Sequence, residues 1–106
     1  MKREEVLQQA MQQTNGSRTE DYGTVENNFS VIAKFWNAYL NTNIITTKDV
    51  AAMMALLKIA RISSGHAKSD NWVDLAGYAA CGGELEESNK VIKVADGRGG
   101  WFEKSV

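Results

Sequence analysis

The sequence predicts an all-α domain, a bundle of about four helices followed by a short irregular or hairpin tail. Two observations lead to this prediction. The 106 residues include no proline, and the glycines collect between apolar segments, as expected of helices separated by short breaks. Within those segments apolar residues recur three and four positions apart, which is the spacing of one helical face. We expect a single domain with residues 1–90 helical and residues 91–106 forming the tail.

The first predicted helix, residues 2–14, is short and mostly polar. Val6 and Ala10 lie on one face, and Asn15-Gly16 ends the segment with residues that favour a helix terminus. Because its apolar face is narrow, we expect this helix to pack along one edge only.

The second predicted helix, residues 25–41, carries a broad apolar stripe. Its members recur at spacings of four, three, four and three: Val25, Phe29, Ile32, Trp36 and Tyr39. This spacing favours a helix over a strand. Val31 and Phe35 lie off the stripe and widen the apolar surface, so we expect a second neighbouring helix or another subunit to cover it.

The third predicted helix begins at a capping box. The Thr46 hydroxyl and the Asp49 carboxylate have the spacing that satisfies the first unpaired backbone N–H groups. The helix then runs to Ile62 and is apolar on all sides except at Lys58 and Arg61. A helix of this kind is expected to be central and buried.

The fourth predicted helix runs from Ser69 or Asp70 to Cys81, where a pair of glycines stops or interrupts it. Residues 84–89 can extend the helix if the glycines do not end it. The remaining residues, 91–106, fit either a hairpin or a loose tail, since an isolated hairpin is marginal in water.

Composition limits the possible partners and the compartment. Twelve basic and thirteen acidic residues give a net charge of −1, and their even spread leaves no basic stripe for duplex nucleic acid. Cys81 is the only cysteine, which indicates a core thiol in a reducing compartment. The N-terminus is polar and the longest apolar run, residues 50–57, is too short to span a membrane. We therefore expect a cytoplasmic protein that binds neither nucleic acid nor membrane.

Three charged residues among apolar neighbours, Lys58, Arg61 and Asp74, indicate the candidate site, and Asp70 joins them through its spacing from Asp74. Lys58 and Arg61 are three apart on the third helix, and Asp70 and Asp74 are four apart on the fourth, so each pair shares a helical face. If the two helices are antiparallel neighbours, the cations and the acids meet near the connecting loop. They form either a structural salt-bridge cluster or a site in which the carboxylates bind magnesium and the cations bind phosphate.

Several motifs along the chain form one combined pattern: Arg18-x-x-Asp21-Tyr22-Gly23, Asn27-Asn28-Phe29, Trp36, Lys58-Ile-Ala-Arg61 and Asp70-Asn-Trp-Val-Asp74-Leu-Ala-Gly77-Tyr78. This pattern, over about residues 4–81, resembles a family of small phage and prophage proteins known only as a domain of unknown function. The resemblance implies a protein of the cytoplasm of a bacterium or of a phage-infected host.

More distantly, the pattern is similar to the all-α nucleotide pyrophosphohydrolases of the MazG and dimeric dUTPase kind. That similarity implies catalytic, magnesium-binding carboxylates at Glu26, Asp70 and Asp74, with Asp74 matching the Asp of a Glu-x-x-Asp pair. The sequence departs from the enzymes in two respects. Asp70 and Asp74 are four apart rather than three, and Asn27 and Asn28 follow Glu26 in place of a Glu-x-x-Glu pair.

Further residues complete the predicted site. Arg18 joins Lys58 and Arg61 in binding phosphate, and Tyr22 and Tyr78 contact the base or sugar. Each has an alternative: Tyr22 belongs to a turn with Gly23, and Tyr78 is a core tyrosine with a satisfied hydroxyl. Glu26, in the first turn of its helix, is equally explained by the helix dipole.

These observations lead to two hypotheses of function. The first is a phage-type protein that binds a nucleoside triphosphate with magnesium, or manganese in its place, and that hydrolyses the nucleotide to monophosphate and pyrophosphate. The second is a non-enzymatic phage accessory protein whose polar cluster is structural and whose apolar faces bind other proteins. In both, the two broadly apolar helices of so short a chain predict a homo-oligomer.

Overall fold

The computed structural model describes residues 1–15, 24–65, 68–88, 91–95 and 101–105. These residues form four helices and a two-stranded antiparallel hairpin: α1 (Arg3–Asn15), α2 (Val25–Leu40), α3 (Thr47–Ser63), α4 (Ser69–Ser88), β1 (Val91–Ala95) and β2 (Trp101–Ser105). The predicted all-α arrangement of four helices is confirmed. Of the two alternatives for the tail, the structure has the hairpin, with Val91 opposite Ser105.

Local side-chain chemistry explains both ends of α2. The Thr24 hydroxyl accepts a hydrogen bond of 3.1 Å from the backbone N–H of Asn27, which satisfies one of the unpaired donors of the first turn. At the other end Asn41 adopts a left-handed conformation with φ of 53°, a position that glycine or asparagine occupies at many helix termini. Helix α2 therefore stops within one residue of its predicted end.

The connection from α2 to α3 is held by one asparagine. Asn37 donates a hydrogen bond of 2.9 Å to the carbonyl of Ile45 and accepts one of 3.0 Å from the backbone N–H of the same residue. The predicted capping box then begins α3: the N–H of Asp49 donates to the Thr46 hydroxyl, and the N–H of Thr46 donates to the Asp49 carboxylate. The start of α3 is thus fixed by the Asn37–Ile45 hydrogen bonds before the helix and by the capping box at its first turn.

The helices pack in a chain of neighbours rather than around one central helix. Helix α3 packs against α2 and α4, and α4 also packs against α1. The main core cluster lies where α2, α3 and α4 meet and consists of Phe29, Ala33, Val50, Ala51, Cys81 and Leu85. Cys81 is a buried thiol, as predicted.

The prediction that α3 is central and buried is wrong for a large part of the helix. Val50 and Ala51 are buried, but Leu56, Leu57 and Ile59 are exposed. The reason is that two neighbouring helices, α2 and α4, make the extensive contacts with α3 in the described structure, and two neighbours cover only part of a helix surface. Helix α3 therefore carries more large apolar side chains than this fold buries.

Two glycines of α4 lie next to neighbouring helices, at distances that would give an added Cβ atom ordinary van der Waals contact. A Cβ added at Gly77 would lie 3.5 Å from Thr14 of α1, and one at Gly82 would lie 3.5 Å from the Cβ of Ala51. The glycine pair does not end the helix, because α4 continues to Ser88 and buries Leu85 beyond it. Burial of that leucine compensates for the low helix propensity of glycine.

No helix among the described residues is long and apolar enough to cross a membrane.

Candidate functional site

An ion pair joins α3 to α4 at the predicted site. Lys58 Nζ lies 2.8 Å from Asp74 Oδ2, and the two side chains are 11% and 29% exposed. This distance is that of a charge-assisted hydrogen bond, which is stronger than a bond between neutral groups. The third and fourth helices therefore do bring a cation and an acid together, as the helical spacing predicts.

Arg61 and Asp70 lie on the loop side of this pair. Arg61 is one helical turn after Lys58 on α3, and Asp70 is one turn before Asp74 on α4. Both residues are exposed, and neither has an ion-pair partner among the residues that the structure describes. We call the four residues Lys58, Arg61, Asp70 and Asp74 the polar cluster.

The three carboxylates predicted to bind magnesium do not form a group. Within residues 1–15, 24–65 and 68–86, no three His, Cys, Asp or Glu side chains are placed to hold a metal ion. Glu26 is exposed in the first turn of α2, the helix whose extensive contacts are with α3, whereas Asp70 and Asp74 lie on α4. A three-carboxylate site made by Glu26 with the two aspartates is therefore not present, and the roles of Asp70 and Asp74 stay predictions.

Of the three further residues predicted to contact the base, sugar or phosphate, the structure describes only Tyr78. Tyr78 is half-buried, with its ring centroid 6.4 Å from that of Phe29, so its ring packs against the core, as the alternative interpretation expected. Arg18 and Tyr22 lie outside the described residues. Asn71, three residues before Asp74, is buried, and its backbone N–H donates a hydrogen bond of 3.0 Å to the carbonyl of Lys68; the sequence analysis did not single out this buried polar position.

A second ion pair crosses the other end of the α3–α4 interface. Lys48 Nζ lies 2.8 Å from Glu86 Oε2, with the side chains 52% and 64% exposed. The hydrogen bond to the Glu86 carboxylate, and then its negative charge, raise the pKa of Lys48 above the usual value of 10.5. Between the helices beside this pair lies an open groove of about 360 Å³, lined largely by alanine side chains and bordered by Tyr78.

Sequence reasoning missed the Lys48–Glu86 pair because the end of α4 was undecided. With α4 ending near Cys81, Glu86 had no position on a helix, and no local pattern pairs two residues so far apart. The role of Asn37 was missed for a similar reason. Its only signal in the sequence is that it is a polar residue directly after Trp36 in an apolar stretch, and its partner, Ile45, lies beyond the end of the helix.

The fold and the polar cluster define a small four-helix protein with one half-buried ion pair and, among the described residues, no group of three or more side chains placed to hold a metal ion. The chain belongs to the family described as Domain of unknown function (DUF6378), whose model matches residues 5–86. The match includes α2 and α3, all but the first two residues of α1, all but the last two of α4, and the whole polar cluster.

Two phage proteins are similar to the chain. The Gene 55 protein of Mycobacterium phage L5 is 45% identical over 74 residues, which is 70% of this chain and 47% of that protein. The Gene 55 protein of Mycobacterium phage D29 is 38% identical over 78 residues, 74% of this chain and 51% of that protein. The chain thus spans about half the length of these relatives, and no solved structure matches it. The predicted similarity to phage proteins of unknown function is confirmed. These matches do not show the predicted, more distant similarity to the MazG-like enzymes.

Proposed function

We propose that the polar cluster binds the phosphate groups of a nucleoside triphosphate. The observation that carries this proposal is the Lys58–Asp74 contact of 2.8 Å between α3 and α4. This contact holds a cation and a carboxylate at one partly open position, and it leaves Arg61 and Asp70 exposed and unpaired beside it among the described residues. A phosphate group is the ligand that two neighbouring cations fit best.

In this proposal the two pairs have different roles. Lys58 acts as a point charge and Arg61 supplies a planar fork that binds two phosphate oxygens at once. Asp70 and Asp74 face the divalent cation that accompanies the nucleotide, magnesium or manganese. One or two carboxylates are enough for this, because magnesium at such sites takes its other ligands from water and phosphate. Arg18 and Tyr22 remain proposed contacts to phosphate and to the base or sugar.

The proposal also includes a more specific activity, hydrolysis of the bound nucleotide to monophosphate and pyrophosphate. It rests on the resemblance of the Asp74-Leu-Ala-Gly-Tyr78 segment to the all-α pyrophosphohydrolases, which bind metal with more carboxylates than are gathered here. Binding of the nucleotide is therefore the first property to measure, and turnover the second.

A second candidate function is that of a non-enzymatic phage accessory protein. The observation in its favour is that Lys58 and Asp74 neutralise each other, so that the pair is a sufficient structural link between α3 and α4 without any ligand. In that case the exposed apolar helix faces, rather than the polar cluster, are the functional surfaces of the protein.

Thermal unfolding with added ligands tests the proposal. A ligand that binds only the folded state stabilises it by about 2.7 kcal/mol at one hundred times its Kd. We expect ribo- or deoxyribonucleoside triphosphates to raise Tm in the presence of magnesium or manganese, and magnesium alone to have little effect. If no nucleotide raises Tm with either metal, the proposal is wrong and the accessory function is favoured.

Arg61→Ala is the sharpest variant for this test. Since Arg61 is exposed and has no described partner, its removal leaves the fold intact, and we expect it to lose most of the Tm increase caused by nucleotide. Lys34→Ala, which removes an exposed cation from α2, is the matched control and should keep the full increase. Equal responses of the two variants would place the binding site elsewhere.

A further inference from the structure

The groove between α3 and α4 places residues of both helices on one continuous surface. The described residues that line it come from both helices: Lys48, Ala51, Ala52 and Ala55 of α3, and Tyr78, Ala79, Gly82 and Glu86 of α4. The two helices lie antiparallel beside each other along the groove, because ion pairs join them at Lys48–Glu86 and at Lys58–Asp74. Since most of the lining side chains are alanine, another helix can come close to the groove.

Larger exposed apolar side chains extend both walls of the groove. On α3, Leu56 and Ile59 follow Ala52 by four and seven residues, and they are 61% and 48% exposed. On α4, Trp72 precedes Ala79 by seven residues and is 52% exposed. Residues at these spacings lie on one side of a helix. We call the lining of the groove, together with Leu56, Ile59 and Trp72, the α3–α4 apolar face.

We infer that the α3–α4 apolar face binds the same face of a second copy of this chain. In this dimer a two-fold axis runs along the groove, parallel to the two helices. Rotation about this axis places α3 of one copy against α4 of the other, and the two are antiparallel, as they are within one copy. The interface is therefore a four-helix bundle with antiparallel neighbours, in which the same surface is used by both copies.

The charges at the end of the groove favour a second copy over another partner. Among the described residues that line the groove, Lys48 of α3 and Glu86 of α4 are the charged ones, and their charges are opposite. The two-fold rotation exchanges the two walls, so that Lys48 of each copy lies opposite Glu86 of the other copy. Each copy thus presents to the other a face of complementary charge. A partner with charges of one sign at this end is repelled by one of the two residues.

The inferred interface does not involve the ligand of the polar cluster. Arg61 is nine residues after Ala52, so it is turned by about 180° around α3 from the wall of the groove. The dimer therefore leaves the Arg61 side chain open. Because of this separation, the inference goes beyond the proposed function, and association can be measured without any nucleotide.

Sedimentation equilibrium of the full chain tests the inference, with Leu56→Glu as the disruptive variant. We expect the wild-type chain to be a dimer at micromolar concentration and Leu56→Glu to associate at least tenfold more weakly, because the added charge is buried in the interface. Leu7→Glu is the matched control, since Leu7 of α1 is 63% exposed, and it should associate as the wild type does. A monomeric wild type, or a Leu56→Glu variant that associates as tightly as the wild type, would overturn the inference.

A charge exchange between two variants tests how the copies are arranged. Lys48→Glu gives both walls a negative charge at this end, and Glu86→Lys gives both walls a positive charge. Each variant alone should associate weakly, because like charges meet across the two-fold axis. An equimolar mixture of the two should associate at least tenfold more tightly than either variant alone.

Both side chains of this pair are more than half exposed, so both variants should keep the helical circular dichroism signal. This second experiment therefore decides the question even if Leu56→Glu fails to fold. A mixture that associates no more tightly than the separate variants would show that α3 of one copy does not lie against α4 of the other.

Discussion

The two ion pairs that cross the α3–α4 interface have the same length but different surroundings. Both have an N···O distance of 2.8 Å. Lys48–Glu86 is exposed at the end of the interface next to the apolar core, where Val50, Ala51, Cys81 and Leu85 are buried. Lys58–Asp74 is half-buried at the other end, near the last residues of α3 and the first residues of α4.

This difference shows that the distance of an ion pair does not determine its importance. An exposed pair is solvated and screened, and it usually contributes little to stability. A half-buried pair is costly to break, because the remaining charge loses its partner where water cannot fully replace it. At the Lys48–Glu86 end of the interface, buried apolar contacts hold α3 and α4 together. At the Lys58–Asp74 end, the ion pair contributes more to holding the two helices together.

The largest effect is expected from the core end. Leu85→Ala removes a side chain that is 1% exposed and should lower the free energy of unfolding by about 2–5 kcal/mol. The same change at Leu7, which is exposed on α1, should cost less than about 0.5 kcal/mol. Urea denaturation of the two variants measures the difference. Equal losses would mean that the core does not lie where α2, α3 and α4 meet.

The next largest effect is expected from breaking the half-buried pair. Lys58→Ala leaves the Asp74 carboxylate without its partner and should lower the free energy of unfolding by about 1–3 kcal/mol. The double variant Lys58→Met/Asp74→Leu removes both charges and puts apolar side chains of similar shape in their place, so its stability should return close to that of the wild type. A double variant as unstable as Lys58→Ala would show that the cost comes from lost packing rather than from the unpaired charge.

A smaller change in the free energy of unfolding, this time an increase, is expected from replacing one glycine of the pair at 82–83 in α4. A Cβ added at Gly83 meets no atom within 4 Å, so Gly83→Ala should raise the free energy of unfolding by about 0.5–1 kcal/mol through helix propensity. Gly65 has a φ of +88°, a conformation that strains alanine, so Gly65→Ala should be destabilising. Thermal unfolding should show a higher Tm for Gly83→Ala and a lower Tm for Gly65→Ala. A lower Tm in both variants would mean that the low helix propensity of Gly83 does not limit the stability of the protein.

The smallest effect is expected from the exposed pair. Lys48→Met should lower Tm only slightly at neutral pH, and added salt should remove most of the difference. Because Glu86 raises the pKa of Lys48 in the folded state, the contribution of the pair is present below the usual pKa of 10.5 and is lost as pH rises through the raised value. Melting curves at increasing alkaline pH should therefore bring the variant and the wild type together. A gap that widens with pH would contradict this assignment.

Most of the helical fold could be predicted because its signals are local. The Thr46–Asp49 capping box and the spacing of the α2 stripe each depend on residues within a few turns. The capping box is present, and four members of the stripe, Val25, Phe29, Ile32 and Trp36, lie in or against the core, but the fifth, Tyr39, is 82% exposed, so its predicted place on that face is wrong. The end of α4 could not be predicted, since the burial of Leu85 against other helices outweighs the glycine pair before it. Local propensity alone favoured a break at that point.

The candidate site could be predicted in part. Helical spacing correctly indicated that a cation of α3 meets an acid of α4, and Lys58 and Asp74 do so. It could not indicate that Arg61 stays unpaired among the described residues, or that Glu26 lies apart from the aspartates. These facts depend on how α2, α3 and α4 are placed relative to one another.

The sequence by itself determined where the helices begin and which residues share a face, because both follow from the geometry of one helix and from the hydrogen bonds of its first turn. Only the tertiary structure decided which of these faces are buried. Phe29 and Phe35 are equally apolar and lie on the same helix, yet Phe29 is in the core and Phe35 is exposed. Burial depends on the position of neighbouring helices, and the periodicity of one helix contains no information about that position.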